Sequence, residues 1–296
     1  GSHRTQQIFS KESSADFLLR YNKDLNEDWN VSATAGGSTL QNEYSRESLS
    51  SDGLTYPGVY NHGNSKYGVK TNQVIQRSEI NSFYGLFTGG YKDFLFVDMT
   101  ARMDWSSTLA APDYPEKDNH FFYSSLNGSF VLSELVDLPQ SINFAKIRAS
   151  YAGVGSGAQN PYQTQFVYNS PNSLLGGSLA NPTTLVNPFI APLRTRSLEA
   201  GLDMRFFKNR LTVDFAVYKG NTYDQHLYRV IDAASGSRKY LMNVGEVSNR
   251  GVELSVNTKQ IVNKKGFNWS SSFMYSSNSN RVEQLADSSL VLQQRS

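Results

Sequence analysis

Apolar and polar residues alternate along most of the chain, with the two-residue period of β-strands rather than the 3.6-residue period of helices. In the segment 93–106 every second residue from Leu95 to Trp105 is apolar, and the positions between them carry Asp98, Arg102 and Asp104. The segment 209–224 repeats this pattern. Because successive side chains of a strand point to opposite faces, such segments predict strands with one apolar face and one charged face.

The pattern predicts about ten antiparallel strands, several of them longer than the usual five or six residues. They are expected near residues 15–22, 27–38, 79–91, 93–106, 119–133, 141–154, 196–207, 209–224, 246–259 and 266–278. Short turns alternate with long loops, of which the longest are 39–78 and 155–195. Strands that cross a bilayer make tight turns on one side and long loops on the other. The predicted fold is therefore all-β, an antiparallel up-and-down transmembrane β-barrel with long extracellular loops.

The alternative is a soluble β-sandwich, such as a carbohydrate-binding module, with its apolar faces on a core and its charged faces in water. Periodicity alone allows both folds, but the strand lengths and the alternation of turns and loops favour the barrel. The mean hydropathy of −0.47 does not exclude a membrane location. Only one face of a barrel strand meets lipid, so the average over both faces stays hydrophilic.

Composition narrows the possible partners and chemistry. The 28 Lys and Arg residues against 26 Asp and Glu give a net charge of +2, too small to predict a nucleic-acid partner. The absence of cysteine excludes disulfides and thiolate metal sites, and the four histidines do not fall at metal-ligand spacing. We expect neither metal nor cofactor. The 17 Tyr, 17 Phe and 3 Trp suit the aromatic belts of a membrane protein.

Carboxylates that share one strand face raise the possibility of a glycosidase, which uses a pair of them. Asp98 and Asp104 share one face, as do Glu199 and Asp203, but arginines lie on the same faces. A mixed-charge face is typical of a water-filled lumen or a solvent surface, so we predict that the protein is not an enzyme. The predicted lumen-facing charges are Asp98, Arg102, Asp104, Arg148, Glu199, Asp203, Arg205 and Asp214.

Aromatic side chains in the two longest loops are the candidate substrate-binding residues. Aromatic rings stack on sugars or peptide side chains and keep a polar edge in water. The alternative is that they pack the loops or contact a partner protein. These residues are Tyr56, Tyr60 and Tyr67 in one loop and Tyr162, Phe166 and Tyr168 in the other.

Several stretches resemble the mid-barrel region of SusC-like TonB-dependent outer-membrane transporters. The first of these stretches are residues 80–85, 90–93 and 100–107. The most specific stretches are residues 197–215 and 243–254. The order and spacing of these stretches resemble that family over about residues 70–280.

The resemblance implies a barrel of about 22 strands, closed by an N-terminal plug domain, in the outer membrane of Bacteroidota-type bacteria. It also implies import of oligosaccharides or peptides, with TonB supplying energy and a SusD-like surface lipoprotein as a lid. The chain carries no plug domain and only about ten strands. We therefore expect residues 1–296 to be a partial barrel domain of a larger protein that also contacts outer-membrane lipid.

Overall fold

The structure, a computed structural model, describes residues 1–168, 179–262 and 266–284, and these are mostly β-strand. The strands are β1 (Ser2–Asp24), β2 (Trp29–Asp52), β3 (Val69–Tyr91), β4 (Leu95–Ser106), β5 (His120–Val131), β6 (Ile142–Ser156), β7 (Thr184–Leu185), β8 (Leu193–Phe206), β9 (Leu211–Tyr223), β10 (His226–Val230), β11 (Lys239–Asn243), β12 (Glu246–Ile261) and β13 (Trp269–Gln284). Four short 3₁₀ turns lie at His62–Asn64, Ser107–Leu109, Leu132–Glu134 and Ala233–Ser235.

Ten of these strands form one antiparallel sheet in the order β1-β2-β3-β4-β5-β6-β8-β9-β12-β13. The short strands β10, β11 and β7 form a separate three-stranded sheet. Chain order and sheet order agree throughout the large sheet, which is the up-and-down topology that the sequence predicts. Within the described ranges, no helix is long and apolar enough to cross a membrane.

The apolar face of the large sheet has no second sheet packed against it among the described residues. Phe83 and Leu198, both on that face, are 61% and 59% exposed. A soluble sandwich would bury such side chains against a facing sheet. The sandwich alternative is therefore wrong for this chain, and the partial-barrel fold is confirmed.

Strands β1 to β3 are much longer than the sequence indicates. The predicted strands 15–22 and 27–38 extend to Ser2–Asp24 and Trp29–Asp52, and the predicted loop 39–78 is a loop only over 53–68. The extra segments carry Ser, Asn, Gln and Glu on both faces. Since neither face is consistently apolar, hydrophobic periodicity gives no strand signal there.

The loops after β6 and β9 also contain structure that periodicity missed. A hairpin formed by β10 and β11 lies between β9 and β12, and β7 joins it from within the predicted loop 155–195. These strands have two to five residues each, too few for an alternating pattern to emerge. Residues 169–178 of that loop lie outside the described part.

A small hydrophobic core lies at the loop end of the sheet rather than in its middle. Leu109, Ile190 and Leu241 come from three different connecting segments and are almost fully buried. They pack with Phe121 on β5, and Tyr123 lies against the same cluster. The connections between β4 and β5, β6 and β8, and β9 and β12 therefore fold together at this end.

Candidate functional site

The register of the sheet brings all eight predicted lumen charges to one face. Residues directly opposite each other on neighbouring strands share a face. The chain of pairs runs from Asp98 and Asn127 through Ser150 to Glu199 and Tyr218. We call this side of the sheet the polar face. Its charged members are Asp98, Arg102, Asp104, Arg148, Glu199, Asp203, Arg205 and Asp214.

Arg148 is the centre of one charge network on the polar face. Its Nη1 and Nη2 donate to the two carboxylate oxygens of Asp214 at 2.8 and 3.0 Å, while Nε lies 3.7 Å from Glu199. The guanidinium passes directly over Gly201, where an added Cβ would lie 2.6 Å from it. This glycine leaves the space that lets an arginine on β6 reach an aspartate on β9.

A second network surrounds Asp104, which is 6% exposed. Its oxygens accept hydrogen bonds from Arg102 Nε at 2.7 Å and from the Tyr123 hydroxyl at 2.8 Å. Arg102 also donates to Ser82 Oγ at 2.8 Å and lies over the ring of Tyr84. Since Tyr123 packs against the loop core, this network ties the charged face to the loops.

The remaining charges also have local partners. Asp98 accepts a hydrogen bond from Asn127 Nδ2 at 3.1 Å, and Asp203 lies 3.7 Å from Arg205. Arg205 also lies over the ring of Phe144.

The spacing of the predicted carboxylate pairs does not suit a glycosidase. Asp98 and Asp104 are six strand positions apart, about 20 Å, and Glu199 and Asp203 are four apart, about 13 Å. Both separations exceed the roughly 5–9.5 Å that glycosidases use. The arrangement is that of a charge-paired polar surface.

The opposite side, which we call the apolar face, carries a band of apolar side chains bounded by aromatic rings. Near the short turns, Trp29 packs on Tyr91 with ring centroids 4.6 Å apart. Near the loops, Phe83 contacts Phe17 and Trp105 edge-on at 6.5 and 6.2 Å. Two rows of aromatic rings therefore flank the band, one at each end.

Of the three consecutive aromatic residues 121–123, Phe121 and Tyr123 are not part of these rows. Strand alternation places only Phe122 on the apolar face, and it is 62% exposed. Phe121 and Tyr123 lie on the polar face with the loop core. Three consecutive strand residues cannot share one face.

Asn243, at the end of β11, holds the loops together, and sequence reasoning missed it. Its Oδ1 accepts from the Ala191 amide at 2.7 Å, and its Nδ2 donates to the carbonyls of Ala191 and Asp224 at 2.8 and 3.0 Å. The His226 ring also contacts the Ala191 carbonyl at 2.8 Å. An asparagine can satisfy several backbone groups at once, but nothing in the local sequence indicates which segment it meets.

The six loop aromatics that the sequence proposes for binding form two separate groups. Tyr56, Tyr60 and Tyr67 lie in the loop 53–68 at the tip of the β2–β3 hairpin, and all are exposed. That loop is ordered by Asn64, whose side chain bonds the backbone of Tyr56 and Val59.

The second group lies beside the middle of β3, away from the tip of the β2–β3 hairpin. The Tyr162 hydroxyl accepts a hydrogen bond from the Arg77 amide at 3.2 Å, and Phe166 and Tyr168 contact each other edge-on at 5.2 Å. Arg77 is eight residues along β3 from the end of the loop 53–68, about 26 Å. The structure therefore does not bring the two aromatic groups into one site.

The described residues contain no group of three or more His, Cys, Asp or Glu side chains that could hold a metal ion. The candidate functional surfaces are thus the charge-paired polar face, the banded apolar face and the loops at one end.

A long antiparallel sheet with an uncovered apolar band, aromatic borders and a charged opposite face defines a segment of a transmembrane β-barrel. The chain belongs to the TonB dependent receptor-like β-barrel family, whose model matches residues 2–292. This confirms the resemblance noted in the sequence and places the chain in the outer membrane.

The chain is similar to two TonB-dependent receptors of Formosa agariphila. It is 28% identical to receptor P26 over 295 residues, which is 95% of the chain and 29% of that protein. It is 29% identical to receptor P39 over 280 residues, 91% of the chain and 26% of that protein. The chain therefore spans less than a third of the length of these relatives.

Solved structures support the same fold. The RagAB peptide transporter matches 96% of the chain with a TM-score of 0.84 at 20% identity, and the chain covers 31% of it. The outer membrane transporter YddB from Escherichia coli matches 93% of the chain with a TM-score of 0.62 at 12% identity, and the chain covers 34% of it. At these identities the similarity establishes the fold alone.

Proposed function

We propose that this chain is the partial barrel of a SusC-like, TonB-dependent transporter that imports a nutrient, an oligosaccharide or a peptide, across the outer membrane. The observation that carries the proposal is the division of one continuous sheet into a banded apolar face and a charge-paired polar face. Family membership supports transport rather than catalysis, and we propose no catalytic residue.

The dimensions of the apolar band support a membrane crossing. Along β4 the apolar positions run from Leu95 to Trp105, a rise of about 33 Å along the strand. At a tilt of about 45° this corresponds to about 23 Å, close to the height of the apolar band of outer-membrane barrels. We therefore assign the apolar face to lipid and the polar face, with its eight charged side chains, to the lumen.

The loops would be extracellular because long loops lie on the outer side of such barrels. Their core residues pack with Phe121 on the polar face, which supports a position over the lumen entrance. Phe166 and Tyr168 lie exposed in these loops and are proposed to stack on the substrate. Tyr56, Tyr60 and Tyr67, at the tip of the projecting hairpin, are proposed to contact either the substrate or a SusD-like lipoprotein.

Uptake in cells that lack the gene for the full-length protein tests this proposal. Complementation with the wild-type gene should restore the uptake of one class of labelled nutrient, either oligosaccharides or peptides. Dissipating the proton gradient that drives TonB should abolish this uptake. The double change of Phe166 and Tyr168 to Ala should weaken substrate binding by about fivefold or more, since each stacked ring contributes about 0.5–1.5 kcal/mol.

Val167→Ala is the matched control, because it shortens the exposed side chain between the two rings and removes no aromatic ring. Uptake unchanged by loss of the gene would contradict the transport proposal. A full-length protein that is monodisperse in buffer without detergent would contradict its location in the membrane.

A further inference from the structure

Three cations lie side by side on the apolar face, immediately beyond the apolar band on the loop side. They are Arg196 on β8, Lys219 on β9 and Arg250 on β12. In each strand the cation lies two positions beyond the last apolar residue of the same face. That residue is Leu198 for Arg196, Val217 for Lys219 and Val252 for Arg250. We call these three residues the basic row.

The register places these charges close together. Lys219 lies directly opposite Arg250, and Arg196 lies opposite Asn221, which makes it a diagonal neighbour of Lys219. Directly opposed residues have Cβ atoms about 5 Å apart, and like charges at such positions destabilise a sheet. The fold therefore concentrates positive charge here at a cost in stability.

The acidic side chains nearest to the basic row bond to other residues. Glu283 on β13 accepts from Ser248 Oγ at 2.6 Å and lies 3.5 Å from Arg281. Within residues 1–168, 179–262 and 266–284, no carboxylate lies within 4.0 Å of any of the three cations, and all three are exposed. Glu246, the acid farther along the same face of β12, accepts from Asn221 Nδ2 at 2.5 Å. Arg196 lies over the ring of Tyr223, 6.0 Å from its centroid.

Near the other edge of the sheet, also on the loop side, a cation at a comparable position has a counterion. Arg77 on β3, also beyond the apolar band on the apolar face, is 2.9 Å from Glu43 on β2. Hydrogen bonding to Glu43 raises the pKa of Arg77. The basic row differs in that its charges have no counterion from the described residues.

A shallow depression of about 810 Å³ lies on the apolar face directly below the basic row. Its floor consists of small residues, Gly128, Ala149 and Ala200, and Leu126 and Leu198 form part of its rim. Lys219 lines the same depression. An apolar groove thus continues into a cluster of unpaired cations.

We propose that this surface binds one phosphorylated glycolipid of the outer leaflet, with an acyl chain in the depression and a phosphate between Lys219 and Arg250. This inference rests on the proposed orientation of the apolar face toward lipid. Lys and Arg at the edge of a membrane keep their stems on apolar surface and their charged ends at the headgroups. Cations near an anionic membrane surface are attracted to it, and a phosphate accepts charge-assisted hydrogen bonds from two of them.

Native mass spectrometry of the full-length, delipidated protein in neutral detergent tests the proposal, with diphosphoryl lipid A as the probe. One lipid should bind per protein. The double change of Lys219 and Arg250 to Gln should weaken binding by about tenfold or more, and lipid A without phosphates should lose a similar factor. Ala200→Phe, which fills the depression, should also weaken binding while leaving the basic row intact.

Arg77→Gln is the matched control, because it removes a cation that is already paired with Glu43, and its lipid binding should equal that of the wild type. Equal binding by wild type and the double Gln variant would overturn the proposal. Displacement of the lipid by millimolar inorganic pyrophosphate would show a free-anion site and would equally overturn it. If cells take up the nutrient normally but lipid A binds equally to the wild type and to the double Gln variant, the lipid-site proposal is wrong and the transport proposal stands.

Discussion

Arg148 on β6 makes two parallel hydrogen bonds to Asp214 on β9. Its side chain crosses the intervening strand β8 over Gly201, which has no side chain to block it. Paired Arg–carboxylate bonds of this geometry are stronger than single ones and fix the orientation of both partners. The contact joins three adjacent strands on the polar face. It stabilises their register as well as neutralising their charge.

Gly201→Ala should break this contact without removing either charge. The new Cβ would lie 2.6 Å from the Arg148 guanidinium, so the arginine must move away from Asp214. Because both partners are partly exposed, we expect a loss of about 1 kcal/mol in the free energy of unfolding. The measurement is the temperature at which the full-length barrel loses its fast-migrating folded band in gel electrophoresis.

Gly128→Ala on β5 is the control, since no atom lies within 4 Å of its added Cβ. That variant should melt with the wild type. If both alanine variants melt alike, the space above Gly201 has no role in stability.

Arginine at Val97, Leu202 or Val213 should block assembly of the full-length protein in the outer membrane. All three lie on the apolar face, where a charge at mid-membrane costs about 2–4 kcal/mol. Thr100→Arg on the polar face of β4 should assemble normally. Folded protein in outer-membrane fractions is the readout, and normal assembly of all three apolar-face variants would refute the assignment of that face to lipid.

Asn243→Ala should loosen the loops while the sheet stays intact. Removing the side chain leaves the Ala191 amide without its partner and the Ala191 carbonyl with His226 alone, which costs about 1–3 kcal/mol locally. Hydrogen exchange should become faster in residues 187–192 and unchanged in β8 and β9. Asn257→Ala, at the opposite end of β12, should leave loop exchange as in the wild type, and equal loop exchange in all three proteins would disprove the role of Asn243.

The loop between β4 and β5 should become more stable as pH rises toward 10.5. Lys117 donates from Nζ to the Leu109 carbonyl at 2.8 Å, and burial lowers its pKa from the ordinary 10.5. Between the lowered pKa and 10.5 the unfolded loop binds more protons than the folded loop, so the free energy of unfolding increases with pH. Cleavage in this loop by an alkaline protease, normalised to a peptide substrate, should slow over that range.

Lys117→Met removes the titrating group and should show no such pH dependence. A slope that persists in the methionine variant would assign the effect to another group.

Much of the sheet could be predicted because its information is local. Wherever one face is apolar and the other charged, as in residues 93–106 or 209–224, alternation predicts both the strand and its faces. The same approach failed for 39–52 and 69–78, where both faces are polar, and for β10 and β11, which are too short to show a period. Those segments are strands because each pairs with a neighbouring strand.

The candidate sites divide in the same way. The eight polar-face charges were predicted from alternation on single strands. The basic row was missed because its members, Arg196, Lys219 and Arg250, belong to three strands whose register the sequence does not give. One signal was present: in each strand the cation is the first residue beyond the apolar run on the same face.

The sequence by itself determined which side chains lie on the apolar and polar faces, because a strand residue's face depends only on its parity. It also determined the family through the residues near 197–215 and 243–254. The tertiary structure alone decided which charges meet, such as Arg148 with Asp214 and Lys219 with Arg250, and how the loops pack. Those contacts depend on strand register and on segments dozens of residues apart, which local chain geometry does not specify.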